Sequence, residues 1–195
     1  MTTILTLSGS PSSPSRSSAV LAWTRRLLAQ EGSRTDALQV RDLPAEAVLH
    51  GQFSHPAIQE SVARIAAADA VILATPVYKA AYAGILKAFL DLLPQDALAG
   101  KVVLPIVTGG SLAHLLVLDY ALGPVLSALG ARHVLRGVYL PDSQVHWEAD
   151  GEICLAEEAE ERLRSALREL NAEVNHQQNR KAPARTGVGK DEATK

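Results

Sequence analysis

A chain of 195 residues, 47% hydrophobic and with a formal charge of −2, suffices for one domain that buries roughly 70% of the surface its unfolded form exposes. That near-neutral balance, with two Trp, four Tyr and two Phe, excludes the basic face and stacked aromatics of a nucleic-acid binder and offers little to an anionic membrane. The lone Cys154 cannot close an internal disulfide, the N-terminus lacks a basic n-region, and Asp69, Pro76, Lys79, Lys87 and Asp91 interrupt the longest apolar region. A cytoplasmic protein without a membrane span is expected.

The first apolar run, Thr3 to Leu7, reads as a strand and is followed by Ser8-Gly9-Ser10-Pro11-Ser12-Ser13-Pro14-Ser15-Arg16-Ser17-Ser18. A helix from about Arg16 to Gln30 comes next. Strand, hydroxyl-rich loop and helix in that order make an anion site. The first helical N–H groups lack partners, and the helix dipole places partial positive charge there. Ser10, Ser17 and Ser18 supply hydroxyl donors, and Arg16 supplies a planar charge able to grip two phosphate oxygens. Ser17 or Ser18 as a plain helix N-cap is the competing reading. The loop matches neither G-x-G-x-x-G nor the P-loop pattern, so a terminal phosphate fits better than a pyrophosphate.

Arg34 to Val40 reads as a weak second strand, residues 41–56 as irregular around Pro44, Gly51 and Pro56, and Ala57 to Ala68 as a helix. Ala70 to Thr75 is a continuous apolar run, the mark of a strand buried on both faces, and Pro76 should stop it. A loop to Gly84 and a helix to Leu93 follow. Lys101 to Val107 is a further buried strand that ends in Thr108-Gly109-Gly110-Ser111. A long helix from Leu112 to Leu129, a last strand near His133 to Leu140 and a charged helix from Ala156 to Val174 complete a domain of residues 1–174. Residues 175–195 read as a disordered polar tail.

Five strands with helices between them specify an α/β three-layer sandwich with a parallel sheet. Ligands of such sheets sit beyond the carboxyl ends of the strands. Three unusual loops open on that rim: the Ser/Arg loop, the stretch Pro76-Val77-Tyr78-Lys79, and Thr108-Gly109-Gly110-Ser111. One phosphate cradle beside two loops able to flank a flat ring predicts a mononucleotide site.

Ser10-Pro11 with Pro14-Ser15-Arg16-Ser17-Ser18, then Ala74-Thr75-Pro76-Val77-Tyr78-Lys79-Ala80-Ala81-Tyr82, Lys101-Val102-Val103-Leu104-Pro105, Thr108-Gly109-Gly110 and Ala113-His114-Leu115-Leu116 resemble the NADPH-dependent FMN reductases. Within that family the chain resembles the small reductases paired with alkanesulfonate monooxygenase. The resemblance implies a flavodoxin-like fold with strand order 2-1-3-4-5, FMN at the loop ends, and hydride transfer from NADPH, or alternatively NADH, to the flavin. It implies that reduced FMN leaves for a partner monooxygenase that cleaves sulfonates under sulfur limitation. It also implies that Ser10, Arg16, Ser17 and Ser18 hold the FMN phosphate, while Pro76, Val77, Tyr78, Lys79, Thr108, Gly109, Gly110 and Ser111 flank the ring. Leu118-Asp119-Tyr120-Ala121-Leu122 resembles the segment in which the sulfonate-system reductases carry an extra Tyr, a π-bulge and a tetramer interface. Tyr120 would thereby help flavin leave, and a homo-oligomer, dimer or tetramer, is implied. The plainer reading of Tyr120 is an interfacial or buried phenol reaching a partner.

Hydride transfer between stacked rings needs orientation more than side-chain acid or base, so no catalytic side chain is assigned. His114 reads as a helix-terminal residue, the histidines lack metal spacing, and no metal site is expected. Asp142-Ser143 follows the last strand and is placed to reach a neighbouring subunit's site. Two rivals share the fold: an FMN-containing quinone or azo-dye reductase, and a flavodoxin-type electron carrier, the latter disfavoured by the lack of acidic clusters.

Overall fold

In the computed structural model, which describes residues 2–181, the apolar runs become β1 (Thr3–Ser8), β2 (Arg34–Gln39), β3 (Ala70–Tyr78), β4 (Ala81–Tyr82), β5 (Val102–Gly109), β6 (His133–Val134) and β7 (Val138–Pro141). The sheet runs β2-β1-β3-β5-β6, with β7 also on β5 and β4 folded back on β3. All pairings are parallel except β3 with β4. Taking β6 and β7 as two halves of one edge strand, this is the expected 2-1-3-4-5 order. The flavodoxin-like three-layer sandwich is therefore present.

Side-chain alternation at period two sorts the strands' residues to two faces. Leu5, Leu7, Val71, Leu73, Val103 and Val107 face α3 (Pro56–Ala67), α4 (Gly84–Leu90) and α5 (Gly123–Ala128). Ile4, Ile72, Leu104 and Ile106 face α1 (Arg16–Gln30) and the long α6 (Glu157–Lys181). Each helix contributes its apolar stripe: Val20, Leu21 and Leu28 from α1, Leu163, Leu167 and Leu170 from α6, all buried. Two cores clamp one sheet and hold its carboxyl rim rigid.

Several expectations need correction. Pro76 does not stop β3: it pairs in register with Thr108, and the strand runs on to Tyr78 before turning back as β4. Proline is tolerated there because the strand is leaving the sheet's interior, where a missing N–H costs little. Residues 41–56 are not wholly irregular, for a short helix, α2 (Ala45–Leu49), buries Ala47 and Val48. α4 ends at Leu90 rather than Leu93. The expected last strand is split between Val134 and Val138; at Gly137, inside the break, a Cβ would meet Leu118 at 2.5 Å. A hairpin of β8 (Val145–Trp147) and β9 (Ile153–Leu155) was not expected at all. α6 continues past Val174 to Lys181, so the first part of the expected tail is helical; residues 182–195 lie outside the described residues.

The residue pattern from Leu112 to Leu129 reads as one helix, whereas the resemblance implies a π-bulge at Leu118–Leu122, and the structure has the π-turn. The segment is a 3-10 turn (Leu112–His114), a π-helix (Val117–Leu122) and then α5. Pro124 explains the break: it has no N–H to give the Tyr120 carbonyl, and its ring would crowd that oxygen in an α-helix. The wider π-turn relieves both.

Candidate functional site

The first connection is built on the N-terminus of α1. Ser15, rather than Ser17 or Ser18, is the N-cap: its Oγ accepts from the Ser18 N–H at 3.3 Å. The N–H groups of Arg16 and Ser17 have no hydrogen-bond partner among the described residues. They are the orphan donors that a helix start leaves for a ligand. The Ser17 hydroxyl, fully buried, shares a 2.7 Å hydrogen bond with the Thr108 hydroxyl. It ties α1 to β5, so Ser17 offers a ligand its backbone and not its side chain. The buried Ser10 Oγ accepts from the Ser12 N–H at 3.3 Å, and Arg41 donates to the Ser12 carbonyl. Both bonds hold the loop's shape.

Arg16 reaches across the rim. Its Nε donates to the Val145 carbonyl at 3.2 Å, and its Nη1 lies 3.8 Å from Asp142 Oδ2. Its side chain remains 39% exposed. A guanidinium anchored by one nitrogen and open at the others is poised for an incoming anion.

The second connection is the β3–β4 turn, in which Lys79 and Ala80 have φ of 51° and 62°. Left-handed backbone at both central positions is the type I′ hairpin geometry, which Asn-Gly adopts easily and Lys-Ala adopts under strain. The third is the end of β5. A Cβ on Gly109 would come within 2.4 Å of the Tyr139 hydroxyl, so only glycine fits there. That hydroxyl donates to the Ser111 carbonyl at 2.6 Å. Burial, helped by Asp142, pushes the Tyr139 phenol above its ordinary range, keeping it a neutral donor.

These connections enclose a cleft of about 230 Å3 lined by Ser10, Ser12, Pro14, Ser15, Arg16, Ser17, Pro76, Val77, Tyr78, Thr108, Gly109, Gly110 and Asp142. Three expected site residues lie elsewhere. Ser18 turns to the far side of the loop, where its Oγ bonds that of Ser8 at 2.8 Å and lines an adjoining cavity with Arg25, Arg41 and Trp147. Lys79 and Ser111 flank the cleft without lining it; Ser111 Oγ caps the following turn at Ala113. Sequence reasoning did not single out Arg41, Tyr139 or the local role of Asp142. Arg41 and Asp142 stand just past the ends of β2 and β7, so extending the rim rule to those strands identifies them.

The donor set of unpaired N–H groups, one guanidinium and hydroxyls suits a phosphate ester, and flat backbone from Pro76–Tyr78 and Gly109–Gly110 suits a planar ring. Among the described residues no trio of His, Cys, Asp or Glu is grouped to hold a metal, and no helix is long and apolar enough to cross a membrane.

The chain is similar to known flavin reductases in sequence and fold. The profile of the NADPH-dependent FMN reductases matches residues 2–145. The chain is 48% identical over 165 residues to an FMN reductase (NADPH) of Pseudomonas putida, covering 84% of both chains. It is 50% identical over 142 residues to an FMN reductase (NADPH) of Escherichia coli, covering 73% of this chain and 74% of the other. The crystal structure of an apo NADH:FMN oxidoreductase (EMOB) superposes with a TM-score of 0.78 at 38% identity, over 89% of this chain and 90% of that one. With the rim cleft, the sheet order and these likenesses all in accord, the chain belongs to the NADPH-dependent FMN reductase family.

Proposed function

We propose that this NAD(P)H-dependent FMN reductase takes FMN as a passing substrate, anchors it by its phosphate, and releases it reduced to a partner monooxygenase of the sulfonate-cleaving kind. The observation that carries the reading is the open cleft in which the free N–H groups of Arg16 and Ser17 and the half-exposed Arg16 guanidinium converge. At about 230 Å3 the cleft is smaller than the roughly 300–1,000 Å3 that enclose a drug-sized ligand. It suits the phosphate end and leaves the ring along the open rim.

FMN, when bound, supplies the hydride acceptor. The chain's own residues bind and orient. Ser10 and the helix N–H groups face the phosphate with Arg16; Pro76, Val77 and Tyr78 on one side and Thr108, Gly109 and Gly110 on the other form the ring's walls. Lys79 and Ser111 sit at the outer edge of those walls, beside the approach of the nicotinamide nucleotide. No side-chain acid or base is required, and preorganised backbone dipoles supply the field.

Leu112, Leu115, Leu116 and Tyr120 expose 46% to 77% of their surfaces along the 3-10 and π-helical segment. An apolar strip of this kind marks an association surface. It supports a homo-oligomer, dimer or tetramer, in which Tyr120 on the π-turn bears on flavin release.

The decisive experiment follows NADPH oxidation by purified protein with and without added FMN. Colourless protein whose turnover saturates with added FMN agrees with this reading. Protein that stays yellow and needs a quinone or azo dye is the resident-flavin reductase instead, and protein inert to NADPH is an electron carrier.

A further inference from the structure

Asp142 is a carboxylate in a cleft otherwise built to attract an anion. Its position is fixed, not accidental. Pro141 pairs in register with Gly109, so the ends of β7 and β5 set Asp142 beside the glycine wall. The 3-10 turn Asp142–Gln144 then starts at that residue. Its Oδ2 stands 3.8 Å from Arg16 Nη1, and its charge helps raise the Tyr139 phenol, three residues back along the chain.

Two roles are open to a carboxylate in that place. It can orient Arg16 for the ligand, or it can oppose the ligand's charge. Orientation is already provided by the 3.2 Å bond from Arg16 Nε to the Val145 carbonyl. The Asp142 contact, at 3.8 Å, is longer than the roughly 2.7–2.9 Å of a charge-assisted hydrogen bond, so it adds field rather than direction. Its charge partly neutralises the guanidinium of the free protein and then meets a phosphate dianion when flavin enters. Both effects weaken the bound state.

We propose that Asp142 is an affinity-limiting residue: it holds the phosphate site below the binding strength its donors would otherwise reach, so that phosphorylated flavin leaves after turnover. This inference rests on the proposed phosphate site and goes beyond it, because it assigns loose binding to a named opposing charge in the same cleft.

The test compares Asp142→Asn with wild-type protein and with Arg16→Ala, titrating FMN and riboflavin against each by quenching of flavin fluorescence. Asn keeps the shape and removes the charge. For one unit charge near a dianion at a partly solvated site, the FMN dissociation constant should fall roughly three- to tenfold. Riboflavin, which has no phosphate, should bind as before. An FMN constant that is unchanged or higher in Asp142→Asn overturns the inference, as does equal tightening of both flavins. Arg16→Ala separates this from failure of the site itself: equal losses for FMN and riboflavin there remove the phosphate site, whereas a selective loss of FMN keeps it whatever Asp142→Asn shows. If thermal melting shows Asp142→Asn to be misfolded, Asp142→Ser is read by the same outcomes.

Discussion

Gly109 carries more of the site's geometry than its size suggests. With Tyr139 Oη 2.4 Å from where its Cβ would be, Gly109→Ala must displace the phenol that holds the Ser111 carbonyl. Overpacking of this sort costs about 1–3 kcal/mol, and FMN affinity should fall with it. Thermal melts and flavin titration of Gly109→Ala, Tyr139→Phe and the double variant check the cause: the double should be less impaired than the sum of the singles, because removing the hydroxyl makes room. Additive losses would place the defect elsewhere. Ser17→Ala tests a different kind of residue. It leaves the buried Thr108 hydroxyl without its 2.7 Å partner, for which a loss of about 1–3 kcal/mol in denaturant unfolding is expected. Arg16→Ala should leave stability almost unchanged, since that side chain is half exposed, and should weaken FMN about tenfold or more.

At the scale of elements, the edge strand β2 is held to α3 by a fork, Arg64 Nε and Nη2 to Asp36 at 2.8 and 2.7 Å. The hydrogen bonds from Arg64 hold the Asp36 carboxyl below its ordinary value of 3.8. A lowered carboxyl stabilises the fold fully above the unfolded value and loses that contribution as pH falls through the folded one. Asp36→Asn should therefore lower stability near neutral pH by less than about 1 kcal/mol, the pair being well exposed. The difference from wild type should vanish in acid below the lowered value; urea unfolding at several pH values measures it. The π-turn offers a sharper element test. Deleting Tyr120 takes out one residue of the wide turn, and sedimentation should then show a smaller assembly and absorbance a more retained flavin. An unchanged assembly would separate the turn from association. The same segment shows where sequence reading stops. The pattern from Leu112 to Leu129 is helical throughout, and no periodicity shows which residues absorb the missing N–H of Pro124; it was the family resemblance of Leu118–Leu122 that implied the π-turn found at Val117–Leu122. The β8–β9 hairpin was hidden for a related reason. Its strands are three residues each and have no periodicity to announce them; what they add is Val145, Ile153 and Leu155, buried in the core that α1 and α6 share.

For the whole molecule, the parallel sheet and both cores were legible because Ala70–Ala74 and Val102–Val107 are apolar on both faces, as central parallel strands are; the strand order came from the family resemblance instead. That the three connections meet in one rim cleft was legible too, since each follows a strand end. Side-chain direction within it was not. Nothing in a run of serines says that Ser15 caps, Ser17 ties α1 to β5 and Ser18 faces away; the role of Ser17 follows from a contact with Thr108, 91 residues distant in sequence, and that of Ser18 from its bond to Ser8 on β1. On the proposed reading, the domain is a frame whose open edge takes a small anion with a flat head. A crystal structure with FMN measures that most directly. The expected electron density has the phosphate on the Arg16 and Ser17 N–H groups within reach of the Arg16 guanidinium, and the ring between Pro76–Tyr78 and Thr108–Gly110. A flavin phosphate bound anywhere else, with Arg16 still turned to Asp142 and Val145, would contradict it.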